Sequence, residues 1–326
     1  MNSVLVTGAN SLLGVNLVLT LLKKGYNVKG VVRRRESFPI SICDLNFELL
    51  CGDISNSEFV RSSLKDCGSI IHIAAVTSPS LLRYRDYKEF NVNVTQMLIE
   101  LACEEGVHSF IYVSSANAFG YGDLSNPGSE LSFVDGPFNK SFYALSKIEA
   151  QNVVLSYSEK IRAIVLNPSF MIGPYDSKPS SGTIVLMGYG KKVILAPPGG
   201  KNFVNVKDVA QGVEQALNKG ENGNCYLLTG ENLSYRDFFS LLNSIYGYNS
   251  FVITIPKFLL LFIGLIGDFL RFFKIAVPWS YVNMKILTVR NFYHSAKAID
   301  ELGYSYNRVV NGIKEAVEWF KNSGKI

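Results

Sequence analysis

Short apolar runs alternate with longer amphipathic stretches through the first half of the chain. The runs read as strands at about residues 4–6, 28–32, 47–50, 69–73, 109–113 and 162–166. Helical periodicity marks the stretches between them, at about residues 12–24, 57–65, 87–105 and 142–158. Apolar strands that are separated by amphipathic helices are typical of a parallel sheet covered on both faces. The pattern therefore predicts an α/β fold built on a doubly wound parallel sheet.

The turn between the first strand and the first helix has the composition of a phosphate-binding loop. It reads Thr7-Gly8-Ala9-Asn10-Ser11-Leu12-Leu13-Gly14. A pyrophosphate needs backbone amides at a helix N-terminus, with no side chain in the way. Ser11 stands where such loops usually carry glycine, and a glycine turn alone is common in any α/β protein. The residues that we expect to bind a dinucleotide here are Gly8, Asn10, Ser11, Leu12, Leu13 and Gly14.

With that loop, the fold class becomes a Rossmann-type sheet followed by a smaller C-terminal α+β substrate domain. After Pro168 the pattern is irregular, with Gly and Pro clusters at 173–174 and 197–200. Helices are predicted at 207–218, 235–246 and 309–322, and short strands at 225–228 and 251–255. We expect a dinucleotide-binding domain at 1–167 and a mainly substrate-binding domain at 168–326. Segments at about 203–228 are candidates to return to the first sheet.

The end of the second predicted strand bears on the choice of cofactor. An acidic residue there binds the ribose 2′-hydroxyl of NAD, whereas arginine accommodates the 2′-phosphate of NADP. The strand runs into Arg33-Arg34-Arg35, and the first carboxylate is that of Glu36. A solvated basic loop would look the same in isolation. Next to a nucleotide turn, Arg33 favours NADP, with NAD as the alternative.

Asp53 and Ile54 follow the third predicted strand, where they are candidates to contact the adenine of a dinucleotide. An ordinary structural role is equally compatible with Asp53, since aspartate commonly caps the N-terminus of a following helix.

Tyr143 and Lys147 are four residues apart on a predicted helix, so the phenol and the ammonium group share a face. A cation beside a phenol favours its ionised form, and we expect Lys147 to lower the pKa of Tyr143. Ser114 and Ser115 follow an apolar strand, at the edge where ligands bind in open α/β sheets. A turn-forming serine pair and a chance helix spacing are the plain alternatives. Taken together, the serine pair and the Tyr–Lys pair predict that Ser115, Tyr143 and Lys147 are catalytic residues. They would exchange a proton with a carbonyl or alcohol.

Phe258–Gly267 is a run of ten residues without a polar side chain. A membrane span needs about 20 apolar residues, so this run is too short to cross a bilayer. One interpretation is a buried or lid helix. The other is a surface helix that dips into a membrane, or lines a pocket for an apolar substrate. Residues 258–274 are therefore a candidate for peripheral membrane contact.

Composition narrows the function classes. Of the 326 residues 48% are hydrophobic and 18% charged, as in an ordinary globular protein. The net charge of +5 is spread along the chain, which argues against nucleic-acid binding. The five cysteines include no Cys-x-x-Cys pair, so we expect neither disulfides nor a metal site. A strand predicted from residue 3 leaves no room for a signal peptide, and a cytoplasmic location is expected.

These motifs resemble those of the extended short-chain dehydrogenase/reductases, the NAD-dependent epimerase/dehydratase family, over essentially the whole chain. The turn at 7–14 resembles the family's TGxxGxxG, with Ser11 as the departure. Asn91-Val92-Asn93-Val94-Thr95 resembles its N-V-x-G-T, with Val94 in place of glycine. Ser115, Tyr143 and Lys147 match its catalytic triad. The resemblance implies that the cofactor is lined by Tyr143 and Lys147, and also by Ala74, Ala75, Asn91, Ser114, Pro168 and Ser169.

Within the family, the chain looks most similar to the dihydroflavonol-4-reductase-like branch, which also holds relatives of 3β-hydroxysteroid dehydrogenase. Val31-Val32-Arg33 matches that branch's register, in which the arginine contacts the 2′-phosphate. Sugar-nucleotide epimerases usually carry an arginine before the segment equivalent to Phe203-Val204, where this chain has Lys201-Asn202. That weakens the sugar-nucleotide interpretation without excluding it, because lysine also binds phosphate. The family's habit makes a homodimer plausible.

The sequence thus predicts an oxidoreductase that moves hydride between NADP(H) and a ketone, aldehyde or secondary alcohol. The apolar run at 258–267 suggests an apolar small-molecule substrate, such as a sterol, polyketide or long-chain ketone. The alternative enzyme is a sugar-nucleotide epimerase or dehydratase with tightly bound NAD. A non-catalytic nucleotide-binding scaffold is a third hypothesis, against which the complete set of Ser115, Tyr143 and Lys147 argues.

Overall fold

The first half of the chain alternates strands and helices, in a computed structural model that describes residues 3–326. The strands are β1 (Ser3–Thr7), β2 (Asn27–Val32), β3 (Phe47–Cys51), β4 (Ser69–His72), β5 (Ser109–Val113) and β6 (Arg162–Pro168). The helices are α1 (Leu12–Lys23), α2 (Ser57–Ser63), α3 (Tyr84–Lys88), α4 (Val94–Glu104) and α5 (Phe142–Ser156). A π-helical turn, Glu89–Asn93, joins α3 to α4.

The second half is less regular. Its strands are β7 (Phe170–Ile172), β8 (Val193–Ala196), β9 (Gly200–Asn205), β10 (Cys225–Leu228), β11 (Glu231–Ser234), β12 (Phe251–Thr254) and β13 (Arg290–Asn291). Its helices are α6 (Thr183–Gly188), α7 (Val206–Lys219), α8 (Tyr235–Tyr246), α9 (Lys257–Phe272), α10 (Tyr281–Ile286), α11 (Ala296–Leu302) and α12 (Val309–Asn322).

A seven-stranded sheet in the order β10-β6-β5-β4-β1-β2-β3 forms the centre of the fold, and every neighbouring pair in it is parallel. The order reverses between β1 and β4, as in a doubly wound sheet. The predicted α/β fold class is therefore confirmed. Strand β10 comes from the second half of the chain and pairs with β6. The domain division near residue 167 stays a prediction.

Alternate residues of the central strands face opposite sides of the sheet. Val4 and Val6 of β1 belong to one apolar cluster, which includes residues of α1, α7 and α11, whereas Leu5 belongs to the cluster on the other face, with residues of α2, α4 and α5. Because both faces of the sheet are buried, the residues that point to either face must be apolar. This explains the continuous apolar runs in the sequence.

The second half of the chain forms smaller sheets. Strands β11, β9 and β13 form one with β7, and β12 pairs with β8 in a two-stranded ribbon. A third apolar cluster, with residues of α6, α8 and α12, packs against these strands. The cavity described below lies between the carboxyl edge of the central sheet and helices α9 and α10.

The long helix predicted at about 87–105 is divided in the structure. The helical stretch begins at Tyr84, three residues before the predicted start, and passes through the π-helical turn at Glu89–Asn93. Asn91 lies in that turn, where its side chain bonds the backbone of Val76 in a distant loop. A tertiary contact of this kind leaves no trace in local periodicity, and π turns are frequent at functional sites.

Ser11 is the N-cap of α1. Its hydroxyl accepts a hydrogen bond from the amide of Gly14 at 3.0 Å. This bond satisfies one of the amides that a helix start leaves without an intrahelical partner. The departure from the usual glycine at this position thus has a structural function.

We expect Ser11→Ala to lower the free energy of unfolding by about 1 kcal/mol, because the N-cap acceptor is lost. Ser11→Gly, the matched variant, should cost only a few tenths of that, since glycine is a tolerated N-cap. Urea unfolding of both variants measures the difference. Equal stabilities for the alanine variant and the parent protein would show that the cap contributes nothing.

Candidate active site

The predicted site residues gather at one edge of the central sheet, where β1 to β6 end. The turn at 8–14 follows β1, Arg33 follows β2, Asp53 and Ile54 follow β3, and Ala74 and Ala75 follow β4. Ser114 and Ser115 follow β5, whereas Pro168 ends β6. Parallel strands present their carboxyl ends together, so residues far apart in the sequence meet here.

The turn after β1 leaves no space for larger side chains at its glycines. Gly8 has a φ of +68°, and a Cβ there would lie 2.9 Å from the amide nitrogen of Ala74. A Cβ at Gly14 would lie 2.2 Å from the carbonyl oxygen of Gly8. Leu12 and Leu13 are the first two residues of α1, where amides have no acceptor within the helix. The turn therefore fits a dinucleotide pyrophosphate at a helix N-terminus.

Arg33 and Asp53 lie near each other beyond the ends of β2 and β3. The Arg33 guanidinium is 6.0 Å from the ring centre of Phe90, and its charge is one of the causes that lower the pKa of Asp53. The first cause of that lowering is the bond that the Asp53 carboxylate accepts from the Ser55 amide at 2.9 Å. The cap of α2 is Asn56, so helix capping by Asp53 is not observed.

Lys147 is buried at 1% exposure. Its ammonium group donates to the carbonyl of Val113 at 2.7 Å and lies 4.4 Å from the ring centre of Tyr112. Burial lowers the pKa of Lys147 to about 7, because removal from water disfavours the charged form. The backbone carbonyl of Lys147 accepts a long bond from Ser114 at 3.5 Å, which ties α5 to the end of β5.

Tyr143 lies one helical turn before Lys147, and burial raises the pKa of its phenol to about 12. The nearby Ser115 side chain acts in the opposite direction and lowers the pKa of Tyr143. The expectation that Lys147 lowers the pKa of Tyr143 is wrong, because desolvation dominates and Lys147 is not among the causes of the shift. At neutral pH the phenol is therefore protonated, as a proton donor must be.

Ser115 is held in place from two sides. Its hydroxyl accepts a bond from the amide of Asn117 at 3.3 Å and caps a short 3₁₀ turn, so the turn-forming role coexists with the proximity to Tyr143. Its backbone carbonyl accepts from the side chain of Asn167 at 2.9 Å. Asn167 also donates to Gln151 of α5 at 2.8 Å. The sequence analysis gave Asn167 no site role, although it directly precedes Pro168, one of the residues that the resemblance places along the cofactor.

A buried hydrogen-bond chain runs behind the site. Thr7 bonds one ring nitrogen of His72 at 2.7 Å, and Thr95 bonds the other at 3.0 Å. The Thr95 hydroxyl donates its proton to the carbonyl of Asn91, so it must accept from Nε2–H of His72. Nδ1 then accepts from Thr7. Burial lowers the pKa of His72 to about 3, so the ring is neutral as this pattern requires.

Asn91 connects that chain to helix α5. Its side-chain oxygen accepts from the amide of Val76 at 2.7 Å. Its two donor hydrogens go to the carbonyl of Val76 at 3.0 Å and to the hydroxyl of Ser146 at 2.9 Å. Ser146 donates in turn to the carbonyl of Tyr143 at 2.8 Å. This geometry makes Asn91 a positioning residue, and direct contact with a cofactor stays a prediction.

Ser169 faces the second part of the chain. Its hydroxyl donates to the side-chain oxygen of Asn202 at 2.6 Å. Asn202 donates to the carbonyl of Gly230 at 3.0 Å, which links β9 to the segment after β10. Asn10, at the other end of the predicted cofactor path, donates to Ser37 at 2.9 Å. Contacts of Asn10 and Ser169 with a dinucleotide likewise stay predictions.

A cavity of about 360 Å³ opens beside Tyr143. Much of its wall is apolar, from the loop after β4, the segment before α5, and α10; these residues are Pro79, Leu81, Leu82, Phe138, Phe142, Val282 and Ile286. Polar lining comes from Asn117, Ser141 and Asn283, and from Asp268 and Arg271 of α9. The volume suits a small organic molecule whose reacting oxygen is at Tyr143.

The apolar run at 258–267 does not line this cavity. Leu260, Gly264 and Gly267 are the buried residues of α9, and most of its large apolar side chains are exposed. The helix contributes its charged residues to the cavity instead, because Arg271 turns inward and donates to the carbonyl of Leu81 at 2.6 Å. Helix α9 thus borders the cavity with Asp268 and Arg271 and has an apolar outer surface. No helix within residues 3–326 combines the length and hydropathy needed to cross a bilayer.

Within the described part of the chain, no cluster of His, Cys, Asp and Glu is suited to a metal ion. All five cysteines are free thiols.

Comparisons with known proteins agree with this geometry. Residues 4–228 match the model of the NAD dependent epimerase/dehydratase family. Sterol demethylase protein B of Methylococcus capsulatus is 30% identical over 99% of both chains. A putative dihydroflavonol 4-reductase of Synechocystis is 28% identical over 98% of this chain and 95% of its own.

Solved structures have the same fold. The crystal structure of gox2253 superimposes with a TM-score of 0.84 at 29% identity, with full coverage of both chains. DesIV, a dTDP-glucose 4,6-dehydratase from Streptomyces venezuelae solved with NAD bound, gives a TM-score of 0.79 at 21% identity over 98% of each chain. At that identity the second likeness concerns the fold alone.

The buried Lys147 should make stability depend on pH. The pKa is about 7 in the folded protein and ordinarily 10.5, so between these values the unfolded chain binds more protons. Stability then rises with pH across that window. We expect Lys147→Met to be more stable than the parent at pH 7 by roughly 1–3 kcal/mol, with the difference shrinking towards pH 10.

Urea unfolding at pH 7, 8.5 and 10 measures this trend. Lys192→Met removes an exposed lysine and serves as the control, with little change at any of the three values. A stability difference for Lys147→Met that stayed constant with pH would contradict the burial argument.

Proposed function

Because the chain belongs to the NAD-dependent epimerase/dehydratase family, we propose that this enzyme is an NADPH-dependent reductase of ketones or aldehydes, also able to oxidise the corresponding alcohols. The observation that carries the proposal is the protonated phenol of Tyr143 at the wall of a mainly apolar cavity. A bound dinucleotide would supply the hydride. Reduction of a carbonyl also requires one proton, and a phenol with a raised pKa holds that proton at neutral pH.

Each residue of the triad has a distinct role in this proposal. Tyr143 donates the proton to the carbonyl oxygen. Ser115 hydrogen-bonds the same oxygen and orients it towards the phenol. Lys147 binds the ribose of the dinucleotide, and its pKa of about 7 lets it gain or lose a proton near neutral pH.

An apolar substrate is supported by the cavity wall rather than by the run at 258–267. Leu81, Leu82, Val282 and Ile286 line the space in front of Tyr143. Two similar proteins have names that refer to sterols: sterol demethylase protein B, and the sterol-4-alpha-carboxylate 3-dehydrogenase (decarboxylating) of Dictyostelium discoideum, which is 24% identical over 74% of this chain. We propose a sterol-like or long-chain ketone as the substrate class.

The preference for NADP rests on Arg33. It is exposed at the end of β2, the position from which a side chain reaches the adenosine ribose. Asp53, the nearby carboxylate, already accepts bonds from the amide and hydroxyl of Ser55. Arg33 is therefore the residue that a 2′-phosphate would meet.

The alternative is a sugar-nucleotide epimerase or dehydratase with tightly bound NAD. A dTDP-D-glucose 4,6-dehydratase of Mus musculus is 30% identical over 68% of this chain. Lys201 also gives this alternative support, since its ammonium group lies 4.9 Å from the ring centre of Phe170 and burial lowers its pKa to about 8. A cation there could hold a diphosphate. Cofactor that co-purifies and no net consumption of NADPH would favour this alternative.

The remaining expectations on cellular context stay predictions. They are a cytoplasmic location, a homodimer and a small-molecule substrate without nucleic-acid binding.

Tyr143→Phe removes the proton donor without removing the ring. We expect kcat for ketone reduction to fall by roughly 10²–10⁴-fold, the usual contribution of a positioned acid. The shift in melting temperature on adding NADP should persist, because the dinucleotide site is intact. Tyr157→Phe, at the C-cap of the same helix, should keep normal activity. Unchanged turnover in Tyr143→Phe would show that Tyr143 is not the proton donor, and absence of turnover by the parent protein would favour the non-catalytic scaffold.

Replacement of Arg33 tests the cofactor preference. In Arg33→Ala the Kd for NADP should rise about tenfold or more, as expected for loss of a charge-assisted phosphate contact, while the Kd for NAD changes little. Titration calorimetry with each dinucleotide gives both values. Arg35→Ala is the control within the same basic run. Tighter binding of NAD than of NADP by the parent protein would overturn the assignment.

A further inference from the structure

Helix α9 exposes most of its large apolar side chains, whereas the core helices bury theirs. Five large apolar side chains form a row along its outer face at helical spacing: Phe258, Phe262, Leu265, Phe269 and Phe272, with exposed fractions of 75%, 58%, 56%, 64% and 80%. This row is called the outer row below. The buried residues of α9 are a leucine and two glycines, Leu260, Gly264 and Gly267. Exposed apolar surface of this extent marks a binding surface.

The orientation of α9 is fixed by close packing. A Cβ at Gly264 would lie 2.7 Å from the Cα of Tyr281, and a Cβ at Gly267 would lie 1.6 Å from the carbonyl oxygen of Trp279. Arg271 adds bonds to the carbonyls of Val277 at 2.8 Å and Leu81 at 2.6 Å. The helix cannot roll its outer row inward without losing these contacts. The row is therefore built to face outward.

Exposed apolar residues continue beyond the end of the helix. Phe273, Ile275 and Trp279 are exposed by 58%, 48% and 48%. Tryptophan has an apolar ring with one polar N–H, a combination that suits the boundary between lipid headgroups and acyl chains.

The charges around the outer row are mainly basic. Lys257 at the start of α9 and Lys274 just after its end are both exposed, whereas Arg271 turns inward towards the cavity. Asp268 is the single acidic residue between 257 and 279. Aromatic and aliphatic side chains flanked by lysines match an anionic lipid surface in both hydrophobicity and charge.

We propose that the outer row of α9 docks the enzyme onto an anionic membrane surface, with the phenylalanine side chains inserted among the lipids and Lys257 and Lys274 at the headgroups. The bilayer is contacted and not crossed, in keeping with a helix of 16 residues.

A second copy of this chain fits the same face less well. In a twofold contact between antiparallel helices, Lys257 of one copy would lie near Lys274 of the other. In a parallel arrangement each lysine would meet its own equivalent. Either way like charges come together at the ends of the interface, which opposes association.

Docking would also place the cavity beside the lipid. Asp268 and Arg271 of α9, and Ser280 and Asn283 just after it, line the cavity next to Tyr143. An apolar ketone could then enter from the bilayer without crossing water. This consequence depends on the proposed reductase function, whereas membrane docking itself does not.

Flotation of the purified protein with vesicles tests the proposal. We expect binding to vesicles that contain 30 mol% phosphatidylserine, binding at least about tenfold weaker to pure phosphatidylcholine, and weakening by salt. Phe262→Gln combined with Phe269→Gln should reduce binding about tenfold or more. Both side chains are exposed, so the melting temperature should not fall. Lys257→Gln combined with Lys274→Gln should remove the preference for anionic lipid.

The control exchanges two exposed apolar side chains elsewhere, Leu45→Gln and Phe133→Gln, which are 106% and 93% exposed. This variant should bind vesicles like the parent protein. Absence of vesicle binding, equal binding by the outer-row variant, or a dimer that the outer-row variant dissociates would each overturn the proposal. Reduction of a water-soluble ketone without vesicles reports on the proposed function separately, and there the outer-row variant should match the parent.

Discussion

The site depends on one energetically unfavourable arrangement, the burial of the Lys147 amine without a carboxylate partner among residues 3–326. Its ammonium group is stabilised by the Val113 carbonyl and the Tyr112 ring, which replace only part of its hydration. The lowered pKa is the consequence of that deficit. A lysine on the surface would be more favourable for stability, but it would lie outside the edge of the sheet where the predicted cofactor and cavity residues meet. The burial of Lys147 lowers the stability of the fold, and it places an amine whose charge can change near neutral pH next to Tyr143.

Such an arrangement needs a rigid support. The bonds from Thr7 through His72 and Thr95 to Asn91, and from there through Ser146 to Tyr143, connect the end of β1 to helix α5. Every link lies in or beside a buried strand or helix. The neutral state of His72 is required for the donors and acceptors to alternate along this path. The end of β1 and helix α5 are thus linked by one buried network.

The sequence predicted those parts of the fold and site that follow from local patterns. Apolar runs located the strands of the sheet, and the spacings of Gly8, Gly14, Ser115, Tyr143 and Lys147 located their turns and helix. It could not predict the π turn around Asn91, because that turn depends on a bond to Val76 in a distant loop. The pKa direction of Tyr143 was missed since burial is a tertiary property. For α9, the apolar run in the sequence did not indicate which face of the helix is exposed. Gly264 and Gly267, three residues apart, were the available signal for close packing on α10.

The central claim is that the site transfers a hydride and a proton to the carbonyl of an apolar substrate. Its most direct test is incubation of the protein with NADPH deuterated at the transferred position, together with a panel of apolar ketones that includes 3-ketosterols. Mass spectrometry then follows the label. The account predicts one deuterium on the carbinol carbon of the product and one NADPH consumed for each alcohol formed. Turnover of a dTDP- or UDP-sugar with no deuterium transferred and no NADPH consumed would contradict it.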